Sequence, residues 1–216
     1  MKALKNVTKK NSGNIRLWHW LNAIIISGSL LTVLVNSTIF DKKDNTDFIT
    51  NELKNAGAVV SSAQAREVAH SFEDKIWDLH VYLGYFLIAL FLYRLCLEMF
   101  QRTDQKFYNK LKSTFQLYFS VKRKTPANKK DLFIKLLYMM FYALIFVMAI
   151  TGMSIKFDEE FGISKSVSHS IKEIHGFVMY LIIAFIVTHI IGVFIAERKD
   201  QKGIVSDMIN GGEINE

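Results

Sequence analysis

The sequence predicts an all-α membrane protein: a bundle of four transmembrane helices with both termini in the cytoplasm. Three observations carry this. Four apolar blocks each reach the length of a bilayer span. Basic residues collect in alternate links between the blocks. Four histidines fall within or at the edges of the blocks, at two matched depths.

Half of the 216 residues are hydrophobic, with 17 Phe and 8 Tyr against a single Pro. That is too apolar for an ordinary soluble domain, and backbone polar groups in lipid must be satisfied internally, which favours helices. The 27 Lys and Arg against 20 Asp and Glu give a net charge of +7. They flank the apolar runs, as topology determinants do, so no nucleic-acid partner is expected. The one cysteine, Cys96, lies inside an apolar block, so no internal disulfide or cysteine-paired metal site can form.

In chain order, the N-terminal segment carries Lys2, Lys5, Lys9, Lys10 and Arg16 with no acid. No small-residue cleavage site follows it, so no removable signal peptide is expected. Block one spans about 17–35. The outer loop 36–78 is long; within it SAQAREVAHSFED reads as helical, capped by Ser61 or Ser62, and could serve as an extracytoplasmic cap or docking element. Block two spans about 79–100. The cytoplasmic loop 101–131 carries nine Lys and Arg between Arg102 and Lys130. Within it 106–121 sets Phe107, Tyr108, Leu111, Phe115, Tyr118 and Phe119 at helical spacing beside Lys106, Lys110 and Lys112, the pattern of a helix at the membrane surface, with a plain loop as the alternative. Block three spans about 132–155 and block four about 174–196, followed by Arg198, Lys199 and Lys202. The other two links are balanced or acidic, so positive-inside places both termini in the cytoplasm. Residues 1–216 read as a single membrane domain in the bacterial cytoplasmic (inner) membrane, crossing it four times.

Block four holds His175 and His189, 14 residues apart. That spacing returns to nearly the same helix face and spans roughly 21 Å of axis. His19 opens block one on the inner side, and His80 opens block two on the outer side. Depth therefore pairs His19 with His189 inside, and His80 with His175 outside. Ionisable side chains at membrane depth are costly and point to function. Haem iron takes two axial imidazoles from opposite faces, and facing helices of a bundle can supply them. Zinc asks for three or four ligands; it stays open at the outer pair, where Asp78 and Glu173 lie near, and is disfavoured at the inner one. His70 and His169 fall in outer links and read as solvated.

Gly84, Gly176 and Gly192 lie close to the histidines. They fit either the approach of a flat macrocycle or close helix packing. Arg16, one turn before His19, is a candidate partner for a haem propionate, or a positive-inside anchor.

RLWHW in block one, HVYLG in block two, the IHG…THIIG pair in block four and the tail ERKDQKGIVSDMINGG resemble the prokaryotic cytochrome b561 and nickel-hydrogenase b-type cytochrome superfamily, which includes formate dehydrogenase and thiosulfate reductase cytochrome b subunits. The resemblance covers nearly the whole chain. It implies a four-helix bundle holding two b haems, with His19 and His189 on one iron and His80 and His175 on the other. It implies a quinone as substrate near one haem, for which Arg16, Asn22 and the cytoplasmic end of block four are candidates. It departs from the hydrogenase type before block three, where the chain reads ANKKDL, and its outer loop is longer than in compact stand-alone members.

The resulting expectation is a diheme electron carrier between the quinone pool and an extracytoplasmic dehydrogenase, hydrogenase or cytochrome c, as the membrane anchor of a respiratory complex. The alternative is a free-standing oxidoreductase passing electrons from a small donor such as superoxide to quinone. A non-redox transporter or structural bundle is a third reading.

Overall fold

The computed structural model describes residues 12–100, 107–120, 126–199 and 203–211. Lys2, Lys5, Lys9, Lys10, Arg102, Lys106, Lys122, Arg123, Lys124 and Lys202, which the orientation argument uses, lie outside the described residues. Seven helices and no strand form among the described residues: α1 (Gly13–Thr38), α2 (Lys42–Asn55), α3 (Ser62–Phe100), α4 (Phe107–Ser120), α5 (Pro126–Lys156), α6 (Lys165–Lys199) and α7 (Ile204–Ile209). Four of them, α1, α3, α5 and α6, are long and apolar enough to cross a membrane.

Each apolar block sits inside one of these helices, but the helices run past the blocks. The largest difference is α3. It begins at Ser62 rather than near residue 79, so most of the link 36–78 is helical, with α2 preceding it. The cause is local. Ser61 Oγ accepts from the Gln64 amide (3.3 Å) while Gln64 Oε1 accepts from the Ser61 amide (2.9 Å), a reciprocal capping box. No Gly or Pro then interrupts the chain before residue 80. α2 starts where Asp41 accepts from the amides of Lys43 and Asp44, and ends at Gly57, whose φ of 82° suits a residue without Cβ. The stretch at 107–120 is a helix, not a plain loop.

The chain forms two compact units, residues 21–89 and the described residues up to 20 together with those from 90 onward. In the first, Asn36 donates to the Glu73 carbonyl (3.3 Å), Phe40 stacks on Phe72, and Gly28 lies against Leu83. In the second, α6 packs along α5, with Phe141 stacked on Phe185 at 4.5 Å between ring centres. α4 packs on the start of α5, where Asp131 accepts from Thr114 (3.0 Å) and pairs with Lys135 (3.0 Å).

The spanning helices turn large apolar side chains outward, as lipid-facing helices do: Leu17, Ile24 and Leu31 on α1, and Phe177, Val187, Ile190 and Phe194 on α6, are all more than half exposed. The opposite face of α6 carries Ser168, Val178, Ile182 and Phe185, all buried, with half-buried His175 and His189 in the same stripe. The inner stripe of α1 is more polar, with Asn22, Thr32 and Asn36 buried beside Trp18 and Ile26.

Candidate functional site

α6 holds His175 and His189 on one face, as their spacing requires. His189 is oriented by a neighbour one turn back: Phe185 stacks on its ring at 5.9 Å between centres, with planes 11° apart, and Phe141 of α5 stacks behind Phe185. His19 reaches it from the first turns of α1. The two ring centres lie 6.2 Å apart, with planes inclined by 50°.

That separation can be tested against a shared iron. Metal–imidazole nitrogen bonds of about 2.0–2.1 Å, with ~1.1 Å more to each ring centre, place two imidazoles on opposite sides of one metal roughly 6.2 Å apart. His19 and His189 meet this requirement. His19 Nδ1 is also buried with no hydrogen-bond partner among the described residues, which leaves a polar atom in need of one. At this separation the two rings could hold one metal ion between them.

His80 and His175 each sit against a threonine. The Thr32 hydroxyl donates to the Ser29 carbonyl (2.6 Å) and stands 2.9 Å from His80 Nδ1, with Ser29 Oγ at 3.3 Å. The Thr151 hydroxyl donates to the Val147 carbonyl (2.8 Å) and stands 2.8 Å from His175 Nδ1. Gly152 leaves room for that ring, since a Cβ there would meet His175 Cε1 at 3.4 Å. Both threonines are buried. The sequence reading passed over them, although Ser-x-x-Thr in block one and Thr-Gly in block three are polar insertions at histidine depth that could have raised the question.

At Gly84, Gly176 and Gly192 an added Cβ would meet no atom of the described residues within 4 Å. Arg16 Nη1 donates to the Ile209 carbonyl (3.1 Å), and its Nε is buried with no partner among the described residues. Trp20 Nε1 donates to the Met208 carbonyl (3.0 Å). α7 is thereby tied to the start of α1 through its last carbonyls, while Glu197 accepts from the amides of Gly203 (2.8 Å) and Val205 (3.2 Å) at its first turn. Asn22 is buried.

The sequence reading also gave no role to Arg94 and Glu98. The pair lies at 3.2 Å inside α3, with side chains only 11% and 25% exposed. Arg94 Nε donates to Tyr142 Oη (3.1 Å), and its guanidinium lies about 5.9 Å from the Trp18 ring centre. Trp18 Nε1 donates to the Leu90 carbonyl (2.8 Å). This network braces the residue next to His19. An Arg–Glu spacing of four within an apolar block was the available signal.

His70 lies 3.4 Å from Glu73 and 3.5 Å from Asp74, and exposed His169 lies 3.4 Å from Glu173. No group of three or more His, Cys, Asp or Glu gathers in a metal-binding arrangement among the described residues.

No curated protein and no solved structure matches the chain. The sequence profile of one family does, prokaryotic cytochrome b561, over residues 12–211. The match takes in all four spanning helices, every histidine and α7. With a matched pair of imidazoles in the second unit and a match over nearly the whole length, the chain belongs to the prokaryotic cytochrome b561 family, membrane b-type cytochromes of electron transfer.

Proposed function

We propose that the chain carries electrons across the bacterial cytoplasmic membrane through two b haems, between an extracytoplasmic redox partner and the quinone pool. Haem iron supplies the one-electron chemistry, and the protein supplies ligation, orientation and electrostatics. His19 and His189 ligate the inner haem; the 6.2 Å separation of their ring centres is the observation that supports this most directly. His80 and His175 ligate the outer haem, a pairing supported by their matched depth in the sequence and by the 14-residue spacing on α6. Arg16, whose Nε is buried without a partner among the described residues, is the proposed donor to an inner-haem propionate, and the remaining N–H groups of its fork leave it capacity for that beside Ile209.

The preferred role is that of a membrane anchor subunit in a respiratory complex. The long outer segment before residue 79, largely helical and carrying charged side chains on α2 and early α3, supports a docking role. The second reading is a stand-alone oxidoreductase that takes electrons from a small donor such as superoxide. Deletion of residues 45–71 separates the two. An anchor loses its co-purifying partner while its haem content and its reduction by a quinol analogue persist. If instead the purified wild-type chain alone passes electrons from a small donor to quinone at the rate seen in membranes, the anchor reading fails.

A further inference from the structure

We propose that Thr32 and Thr151 are positioning residues for the outer haem: each fixes the tautomer and the ring orientation of one axial histidine. This rests on the assignment of His80 and His175 as its ligands. A hydroxyl has one proton to donate. Thr32 gives its proton to the Ser29 carbonyl at 2.6 Å, and Thr151 gives its proton to the Val147 carbonyl at 2.8 Å. Each oxygen then meets the adjacent imidazole Nδ1 as an acceptor, at 2.9 Å for His80 and 2.8 Å for His175. With the hydroxyls so turned, and Ser29 Oγ 3.3 Å from His80 Nδ1 able to act as a second acceptor, the arrangement selects the tautomer protonated at Nδ1, which leaves Nε2 the lone pair that a metal requires. Ligating histidines commonly donate their second N–H in this way, which orients the ring and raises its basicity.

The same device occurs twice, on different helices and on different histidines, so either copy stands without the other. Thr32 and Thr151 are 5% and 8% exposed, which keeps water from competing for either Nδ1. Gly152, beside Thr151, places only backbone next to the His175 ring. Backbone donation is a common habit of threonine in helices. Here the carbonyl bond has a second effect, because it turns the hydroxyl into an acceptor of fixed direction.

The test uses the full-length, haem-loaded protein and the variants Thr32→Val, Thr151→Val, Thr32→Ser and Thr151→Ser. The midpoint potential of each haem is measured by redox titration, the ferric low-spin signals by electron paramagnetic resonance, and haem retention by transfer to an apoglobin. His80→Ala and His175→Ala identify the outer haem as the one they remove. Valine keeps the shape and removes the acceptor, so the ligand becomes less basic and the ferric form less favoured. The outer haem's potential rises in both valine variants, its low-spin signal shifts, and its retention falls about 10–100-fold. The inner haem does not change, and each serine variant restores the wild-type values. Valine variants with both haems bound and an unshifted outer signal overturn the inference and leave the ligand assignment standing. Where a valine variant binds no outer haem, recovery in the serine variant upholds the inference and equal loss in both overturns it. Retention of both haems in His80→Ala and His175→Ala overturns the ligand assignment, and the inference with it.

Discussion

Gly152 lies beside His175, a proposed ligand of the outer haem. Its α-carbon faces His175, and a Cβ there would stand 3.4 Å from Cε1, an ordinary contact. Gly152→Ala should therefore be accepted, with a gain of about 1 kcal/mol in helix propensity. Gly152→Leu fills the space the ring occupies and turns it away from Thr151. The expected result is a stable protein with roughly half the haem of the wild type, read by absorbance per chain after purification. Equal haem content in the Leu and wild-type proteins would show that the ring position does not depend on this contact. At this scale the sequence could single out four histidines as candidates because imidazole at membrane depth is rare and its helix phase can be counted. The threonines were not, because a hydroxyl in a spanning helix most often bonds its own backbone, and only coordinates show which side chain its oxygen also meets.

Among the elements, α3 and α5 hold the first turns of α1 through Arg94. The guanidinium is shared between half-buried Glu98, Tyr142 and the Trp18 ring. Removing one partner of such a pair leaves the other charge uncompensated, while removing both is far less costly. Arg94→Leu should lower stability by about 3 kcal/mol, seen as a fall in thermal midpoint in detergent, and Arg94→Leu with Glu98→Leu should recover most of it. A double variant as unstable as the single one would mean that Arg94 acts through Tyr142 and Trp18 alone. Helix ends were the least legible elements. Hydropathy locates a span, but α3 starts 17 residues before its apolar block because the Ser61–Gln64 box and an uninterrupted run of helix-compatible residues extend it. α7 could be anticipated only by resemblance. Its anchors, Arg16, Trp20 and Glu197, are held by backbone contacts that no periodicity reveals.

For the whole molecule, membership of the prokaryotic cytochrome b561 family and four spanning-length helices agree with the all-α, four-span part of the fold class read from the sequence. Hydropathy and spacing carried that much because lipid restricts a spanning chain to so few structures. The number of haems and their ligands form the central claim. The most direct measurement is a pyridine haemochrome assay with a reduced-minus-oxidised spectrum on the purified chain and on its His19→Ala, His80→Ala, His175→Ala and His189→Ala variants. Two b haems per wild-type chain are expected, with His19→Ala and His189→Ala losing one haem and His80→Ala and His175→Ala losing the other. A single haem in the wild type, or loss of the same haem from His19→Ala and His80→Ala, would contradict the two-pair assignment.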